Sequence, residues 1–175
     1  MPRTNGPAAD TAGVRTGAAG LFSVMAAFPT GVAIVTTTAE HGRPVGLTTT
    51  ALCSVSARPP LLLVSIGERS RTLPWLRERR RFLVHVMGGD GAAGVCARFA
   101  SADGDKFAGT PWRYTGSGLP LLEDDVIAWG ECETEQEVEA GDHTVIVGRY
   151  LGGERLGGPG PLVYHARTYR DTPWG

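Results

Sequence analysis

The 175-residue sequence is short of cysteine, nearly free of net charge and without a long apolar run. Each shortage excludes a class of protein. Cys53, Cys96 and Cys132 are an odd number at wide spacing, with no CxxC pair and no histidine at ligand spacing. No metal site and no disulfide framework are expected. With 17 Lys and Arg against 18 Asp and Glu, the formal charge is −1. No global basic field exists to grip a phosphate backbone, so nucleic acid is not an expected partner. The longest apolar stretches, residues 61–64 and 82–87, fall far short of the roughly 18 residues of a membrane span. The N-terminal residues lack the apolar core of a signal peptide, which leaves a cytoplasmic protein as the expectation. Also missing are a G-x-S-x-G elbow, a Walker A loop and a G-x-G-x-x-G after a strand. Hydrolase and Rossmann readings fall away.

What is abundant is punctuation. The 25 Gly and 12 Pro of the chain far exceed the roughly 12% combined background and cut it into short elements, as sheets and barrels require. The length suits one domain with a sizeable core. Residues 1–17 are small, polar and aperiodic and read as a flexible tail; the domain is expected over 18–170, with a short tail at 171–175. Leu21, Phe22, Met25 and Phe28 recur on one helical face, and Pro29-Thr30-Gly31 ends that helix. Residues 31–37 and 45–50 read as a hairpin around His41-Gly42-Arg43-Pro44.

Residues 52–56 and 61–66 are two further strands, separated by Ala57-Arg58-Pro59-Pro60, an irregular edge. Ser70 or Thr72 is expected to cap a short helix containing Trp75 and Leu76, whose Arg77, Arg79, Arg80 and Arg81 suit the negative end of the helix dipole. A strand over 82–87 and a helix over 92–99 follow. From Val126 to Glu135 apolar and polar residues alternate as in a long strand, with a turn expected over Val138-Glu139-Ala140-Gly141-Asp142. Residues 144–151 and 162–169 read as the last two strands. Seven or so strands with two or three short helices predict a mainly β barrel with peripheral helices.

Three constellations carry candidate chemistry. The segment from Gly46 to Pro60 sets five hydroxyls, Thr48, Thr49, Thr50, Ser54 and Ser56, among small residues. Small side chains let a flat ligand approach the backbone, and hydroxyls meet the polar edges of a heteroaromatic ring; a Thr-rich barrel strand is the plainer reading. Ser65-Ile66-Gly67-Glu68-Arg69-Ser70-Arg71-Thr72 runs from a strand end into a helix start with two arginines and three hydroxyls, a phosphate-binding composition that capping alone also explains. Gly141-Asp142-His143 sets an imidazole at the mouth of a strand, where it orients a carbonyl or carboxamide, moves a proton, or is simply exposed. His85, inside an apolar strand, reads as a hydrogen-bonded core residue.

Together, Phe28-Pro29-Thr30-Gly31-Val32, Gly46-Leu47-Thr48, Ser54-Val55-Ser56 with Pro59-Pro60, Phe99-Ala100, Asp105-Lys106-Phe107-Ala108-Gly109, Leu119-Pro120-Leu121-Leu122, Gly141-Asp142-His143-Thr144 and Pro161-Leu162-Val163-Tyr164 resemble the flavin reductase family with the FMN-binding split-barrel fold. The resemblance runs from Phe22 to Tyr169. It implies a homodimer that moves hydride from NADH or NADPH to FMN or FAD and hands reduced flavin to a separate monooxygenase. It further implies that Thr48, Thr49, Thr50 and Ala51 contact the isoalloxazine and ribityl chain, with Ser54, Ser56 and Pro60 shaping the pocket. Ser65, Ser70, Arg71 and Thr72 would lie near the phosphate, Phe99 and Lys106 would close the site, and His143 would be the catalytic residue facing the nicotinamide. Two positions depart from the family's pattern: Thr50 and His85 stand where many relatives carry Asn. The alternatives are a flavoprotein oxidase or oxygenase that keeps its flavin tightly bound, and a non-catalytic flavin-binding module.

Overall fold

The computed structural model describes residues 14–102, 104–158 and 160–171. The tail expectations for residues 1–13 and 172–175 lie outside these. A helix α1 (Gly17–Ala26) leads through β1 (Thr30–Gly31) into β2 (Ala33–Thr38), which forms the expected hairpin with β3 (Pro44–Thr49). Next come β4 (Leu52–Ala57), β5 (Pro60–Gly67), α2 (Leu73–Arg79), β6 (Arg81–Met87) and α3 (Ala92–Ala100). Two three-residue strands, β7 (Trp112–Tyr114) and β8 (Pro120–Leu122), pair with each other. The chain ends with β9 (Val126–Ala140), β10 (His143–Arg155), β11 (Leu162–His165) and β12 (Thr168–Asp171).

One antiparallel sheet dominates, in the order β3-β2-β6-β9-β10-β5-β4. Its two edge strands follow one another in the chain, and the sheet curls until the Thr49 hydroxyl donates to the Ser65 carbonyl across the seam at 3.2 Å. The expectation of a mainly β split barrel with a few short helices holds. The β-branched run of β2 explains its central place: Ala33, Ile34 and Val35 are all buried, with alternate side chains feeding two cores. Ala33 and Val35 join Leu47, Ile66, Phe82, Cys132 and Ile146 in one cluster, together with Leu73 and Leu76 of α2. Ile34 joins Val95, Cys96 and Phe99 of α3, and Leu162, in the other.

Three local expectations are corrected. Residues Val138, Glu139 and Ala140 belong to β9 rather than to a turn, because pairing continues to His143↔Ala140 and leaves only Gly141-Asp142 to reverse the chain. Gly141, at φ +65°, supplies the positive dihedral that such a two-residue connection needs. Residues 162–169 are a hairpin and not one strand: Ala166 and Arg167, at φ +51° and +62°, turn β11 into β12 without any glycine. Thr72 is the N-cap of α2 but makes no capping bond; its hydroxyl donates instead to the Gly46 carbonyl at 3.0 Å.

The basic run at the C-terminal end of α2 is held by hydrogen bonds and ion pairs. Arg77 reaches Glu68 and Glu137, Arg79 donates to the Thr38 and Ala39 carbonyls, Arg80 to the Thr134 carbonyl, and Arg81 pairs with Glu131. α1 leaves its apolar face open, with Leu21 and Phe22 at 59% and 57% exposure. None of the helices among the described residues is long and apolar enough to cross a membrane.

Candidate flavin site

The curl of the sheet brings the end of β3, the end of β5, the loop into α2, the end of α3 and the start of β10 around one cleft of about 810 Å³. Its walls include Thr48, Thr49, Thr50 and Ala51 from the first constellation, Ser65, Arg69, Ser70 and Arg71 from the second, and His143 from the third, with Phe99 and Lys106. Ten of the fourteen residues named from sequence therefore share one cavity. Ser54, Ser56 and Pro60 do not: they lie on the edge strand β4 and at the start of β5, away from these walls. Thr72 lies behind the cleft, buried, and lines a neighbouring cavity.

Each wall residue is held by a definable contact. The Thr48 hydroxyl donates to the Cys96 carbonyl of α3 at 2.7 Å, and the Thr49 hydroxyl accepts the Ala51 N–H at 3.1 Å, fixing the bend between the two edge strands. Among the described residues, the hydroxyls of Thr50 and Ser65 meet no protein partner, so both remain available to a ligand. Ser70 Oγ accepts the Thr72 N–H at 3.2 Å, which shapes the entry to α2. Lys106 Nζ donates to the carbonyls of Gly46 at 3.1 Å and Phe99 at 2.8 Å. Partial burial, then the nearby Arg71 charge, holds its ammonium below the usual lysine range.

Gly46 makes this possible. A Cβ there would stand 2.8 Å from Phe99 Cε1 and 2.9 Å from the Val35 carbonyl oxygen, so only glycine lets the buried Phe99 ring lie under the strand. Phe99 in turn meets Phe107 edge-on at 5.0 Å. At the start of β10, His143 Nδ1 lies 2.7 Å from Asp142 Oδ1. That hydrogen bond, then the imidazole charge, holds the Asp142 carboxyl below its ordinary range. Gly67 is the cross-strand partner of His143, and a Cβ there would stand at ordinary contact distance, 3.6 Å, from Nε2.

The phosphate-type loop and the histidine turn are joined to each other. Glu68 N–H donates to the Asp142 carbonyl at 2.9 Å. Thr144 donates to Glu68 Oε1, and Arg77 Nη2 reaches the Thr144 hydroxyl at 2.8 Å. Sequence reasoning missed Tyr164 and Tyr169, which also line the cleft and pack at 5.2 Å. They are neighbours only because of the hairpin turn at Ala166-Arg167, which carries no Gly or Asn signal. Desolvation holds the Tyr169 phenol above its usual range.

The flavin reductase like domain family matches residues 25–173. The chain belongs to this family. It is 44% identical over 154 residues to the flavin reductase (NADH) of Kitasatospora aureofaciens, covering 87% of this chain and 80% of that protein. It is 33% identical over 147 residues to HsaB, the reductase subunit of a flavin-dependent monooxygenase of Rhodococcus jostii (strain RHA1), covering 84% and 74%. Among solved structures it resembles SgcE6, the NADH:FAD oxidoreductase of Streptomyces globisporus C-1027 in complex with NAD and FAD fragments. The TM-score is 0.81 at 28% identity over 88% of this chain and 92% of that one. The expected family and enzyme class, an NAD(P)H:flavin oxidoreductase, hold.

The cleft fits the flavin that this family implies. Its volume falls within the roughly 300–1,000 Å³ of cofactor sites. Small residues, unpartnered hydroxyls and three cationic side chains supply what a planar ring with polar edges and a phosphate require.

Proposed function

We propose that this chain is the reductase component of a two-component monooxygenase system, taking hydride from NADH or NADPH and releasing reduced FMN or FAD to a separate oxygenase. The observation that carries this is the convergence in one cleft of a hydroxyl-rich bend, a cationic loop and an imidazole. A flavin held by Thr48, Thr49, Thr50, Ala51, Arg69 and Arg71 would supply the redox chemistry. The protein's part is to bind, orient and exclude water.

Thr48 and Thr49 hold the bend at Thr50-Ala51 against α3 and β5, so that the Thr50 and Ser65 hydroxyls meet the polar edge of the ring. Arg69 and Arg71 neutralise the phosphate, and the Ser70 hydroxyl donates to it. Lys106 and Phe99 anchor the closing wall through Gly46, and His143, steadied by Asp142, orients the nicotinamide. Ser54, Ser56, Pro60 and Thr72 act behind these, on the β4–β5 hairpin and under Gly46.

The active form is a homodimer. The exposed Leu21, Phe22, Met25 and Phe28 of the first helix and its exit form an apolar surface that a second copy buries, and Phe22, Met25 and Phe28 line a cavity that also includes Thr50 of the cleft. Three cysteines free of disulfides are consistent with a cytoplasmic location. The test is nicotinamide oxidation measured with NADH and NADPH against FMN, FAD and no flavin. Rapid turnover that requires added flavin is the expected result; no turnover above the enzyme-free control removes the reading. A monomer by light scattering that retains full activity removes the dimer.

A further inference from the structure

His143 stands between two residues that are both tied to Glu68, in the loop after β5. On one side the Glu68 N–H donates to the Asp142 carbonyl at 2.9 Å. On the other the Thr144 hydroxyl donates to Glu68 Oε1. The carboxylate is braced in turn by Arg77 of α2, whose Nη2 donates to Glu68 Oε1 at 3.3 Å and to the Thr144 hydroxyl at 2.8 Å. Its Nε donates to Glu137 Oε2 of β9 at 3.2 Å. One guanidinium thus joins α2, β9, β10 and the loop that continues into Arg69, Ser70 and Arg71.

The placement of this network says more than its stability does. The side chains of Arg77 and Glu68 are 38% and 39% exposed, and an ion pair so wet contributes little to folding. Thr144, by contrast, is fully buried in β10. A valine would fill the same space, so what the threonine adds is a hydroxyl that accepts from Arg77 and donates to Glu68. The pairing of β10 with β5 begins at His143↔Gly67 and continues at Thr144↔Ile66. The end of a ladder opens more readily than its middle, and the tie to Glu68 restrains it there. The phosphate side of the loop is held separately, by the Ser70 N–H on the Gly67 carbonyl at 2.9 Å and the Thr72 N–H on Ser70 Oγ at 3.2 Å.

We propose that Glu68, braced by Arg77 and joined to Thr144, is a positioning residue for hydride transfer, fixing the Asp142-His143 turn against the flavin cleft and so aiming the imidazole. The inference rests on the reductase reading of that cleft. Glu68, Thr144 and Arg77 are not among the walls of the cleft, so they act through His143.

Glu68→Ala and Thr144→Val break the tie from its two ends, and Glu68→Gln keeps an oxygen to accept both hydrogen bonds. Single-turnover hydride transfer from NADH is measured in each, beside the FMN dissociation constant and the melting temperature. Deuterium exchange of the backbone from Gly141 to Thr144 is followed in the flavin-free protein. Glu68→Ala and Thr144→Val are each expected to slow hydride transfer at least about fivefold with FMN affinity within about twofold, since small displacements of a positioning group act on the rate. Glu68→Gln is expected to restore most of the rate. Exchange over Gly141 to Thr144 is expected to quicken in the first two variants and to stay near wild type in the third. In a His143→Ala background the effect of Glu68→Ala on the rate is expected to vanish, because residues that act through one another are not additive. Should Thr144→Val melt well below the wild type, Glu68→Ala carries the test, since Glu68 is exposed.

An undiminished effect of Glu68→Ala in the His143→Ala background overturns the positioning role. So does unchanged exchange over Gly141 to Thr144, or a rate loss matched by equal losses of FMN affinity and melting temperature. Variants that transfer hydride as fast as an active wild type overturn the role and leave the reductase reading intact. A wild type that oxidises no NADH with added flavin removes the reductase reading, and this role with it.

Discussion

His85 and Leu122 are joined inside the protein: the Leu122 backbone N–H donates to His85 Nε2 at 3.1 Å. Since Nε2 accepts, the ring proton sits on Nδ1, which donates to the Ile34 carbonyl at 3.1 Å. One neutral imidazole thus ties β6 to β2 and to the short strand β8. Complete burial is the main cause that pushes its pKa down to about 4, against the weaker upward pull of the Ile34 carbonyl.

This bond makes stability pH-dependent with a definite sign. The folded state favours the neutral ring, so its contribution is complete above the unfolded value of 6.5 and is lost as pH falls from there towards 4. The full loss amounts to about 3 kcal/mol. Urea unfolding at pH 7 and near pH 4 is expected to show that decline, and His85→Gln, which keeps a donor and an acceptor without titrating, to flatten it. Equal declines in both proteins would exclude His85 as the source.

The same residue marks how far the sequence could be read. A histidine within an apolar strand signals a bonded core residue, but its partner Leu122 lies on a three-residue strand too short to give a periodic pattern. Long or strongly patterned elements were legible: the β-branched hairpin of β2 and β3, helix α3, and the alternation of β9, where Cys132 and Thr134 are buried and Glu133 and Glu135 exposed. So was most of the site, because Thr48, Ser65, Arg71 and His143 sit at strand ends that a curled sheet gathers. Ser54, Ser56 and Pro60 lie just as near in sequence, yet Ser54 and Ser56 on the edge strand β4 and Pro60 at the far start of β5 stand away from the walls. Nothing local shows that Arg43, Trp75 and Trp112 line one cavity, since that depends on how three separate segments pack.

Gly46 is expected to tolerate no side chain. Its carbonyl receives both the Thr72 hydroxyl and Lys106, and its missing Cβ makes room for Phe99. Gly46→Ala should cost about 1–3 kcal/mol by forcing Phe99 or the strand to move. Flavin affinity should fall with it, because the same shift displaces Lys106. Denaturant unfolding and flavin titration check the two effects together; an alanine variant as stable as the parent contradicts the packing argument.

His143 separates orientation from binding. Its ring is half exposed at the start of β10, bonded to Asp142 and not packed into the core. Replacing it should therefore spare the fold. For His143→Ala the rate of hydride transfer is expected to fall at least about tenfold, as loss of a positioning contact predicts. The flavin dissociation constant and the melting temperature should stay close to wild type. Single-turnover kinetics beside a flavin titration distinguish the outcomes, and parallel losses of binding and stability would make His143 a structural residue.

Arg71 tests the phosphate assignment without touching the ring pocket. Its guanidinium is exposed and stands on the wall that the flavin cleft shares with the neighbouring cavity. A charge-assisted hydrogen bond to phosphate is worth about 1.5–3 kcal/mol. Arg71→Ala is therefore expected to weaken FMN by about tenfold or more, whereas riboflavin, which has the same ring and ribityl chain but no phosphate, should bind the variant and the parent alike. High salt should narrow the FMN difference and leave riboflavin unmoved, because screening acts on exposed charges. Equal weakening of FMN and riboflavin would mean that Arg71 supports the loop between β5 and α2 rather than the anion, and would shift the phosphate contact to Arg69 or Lys106.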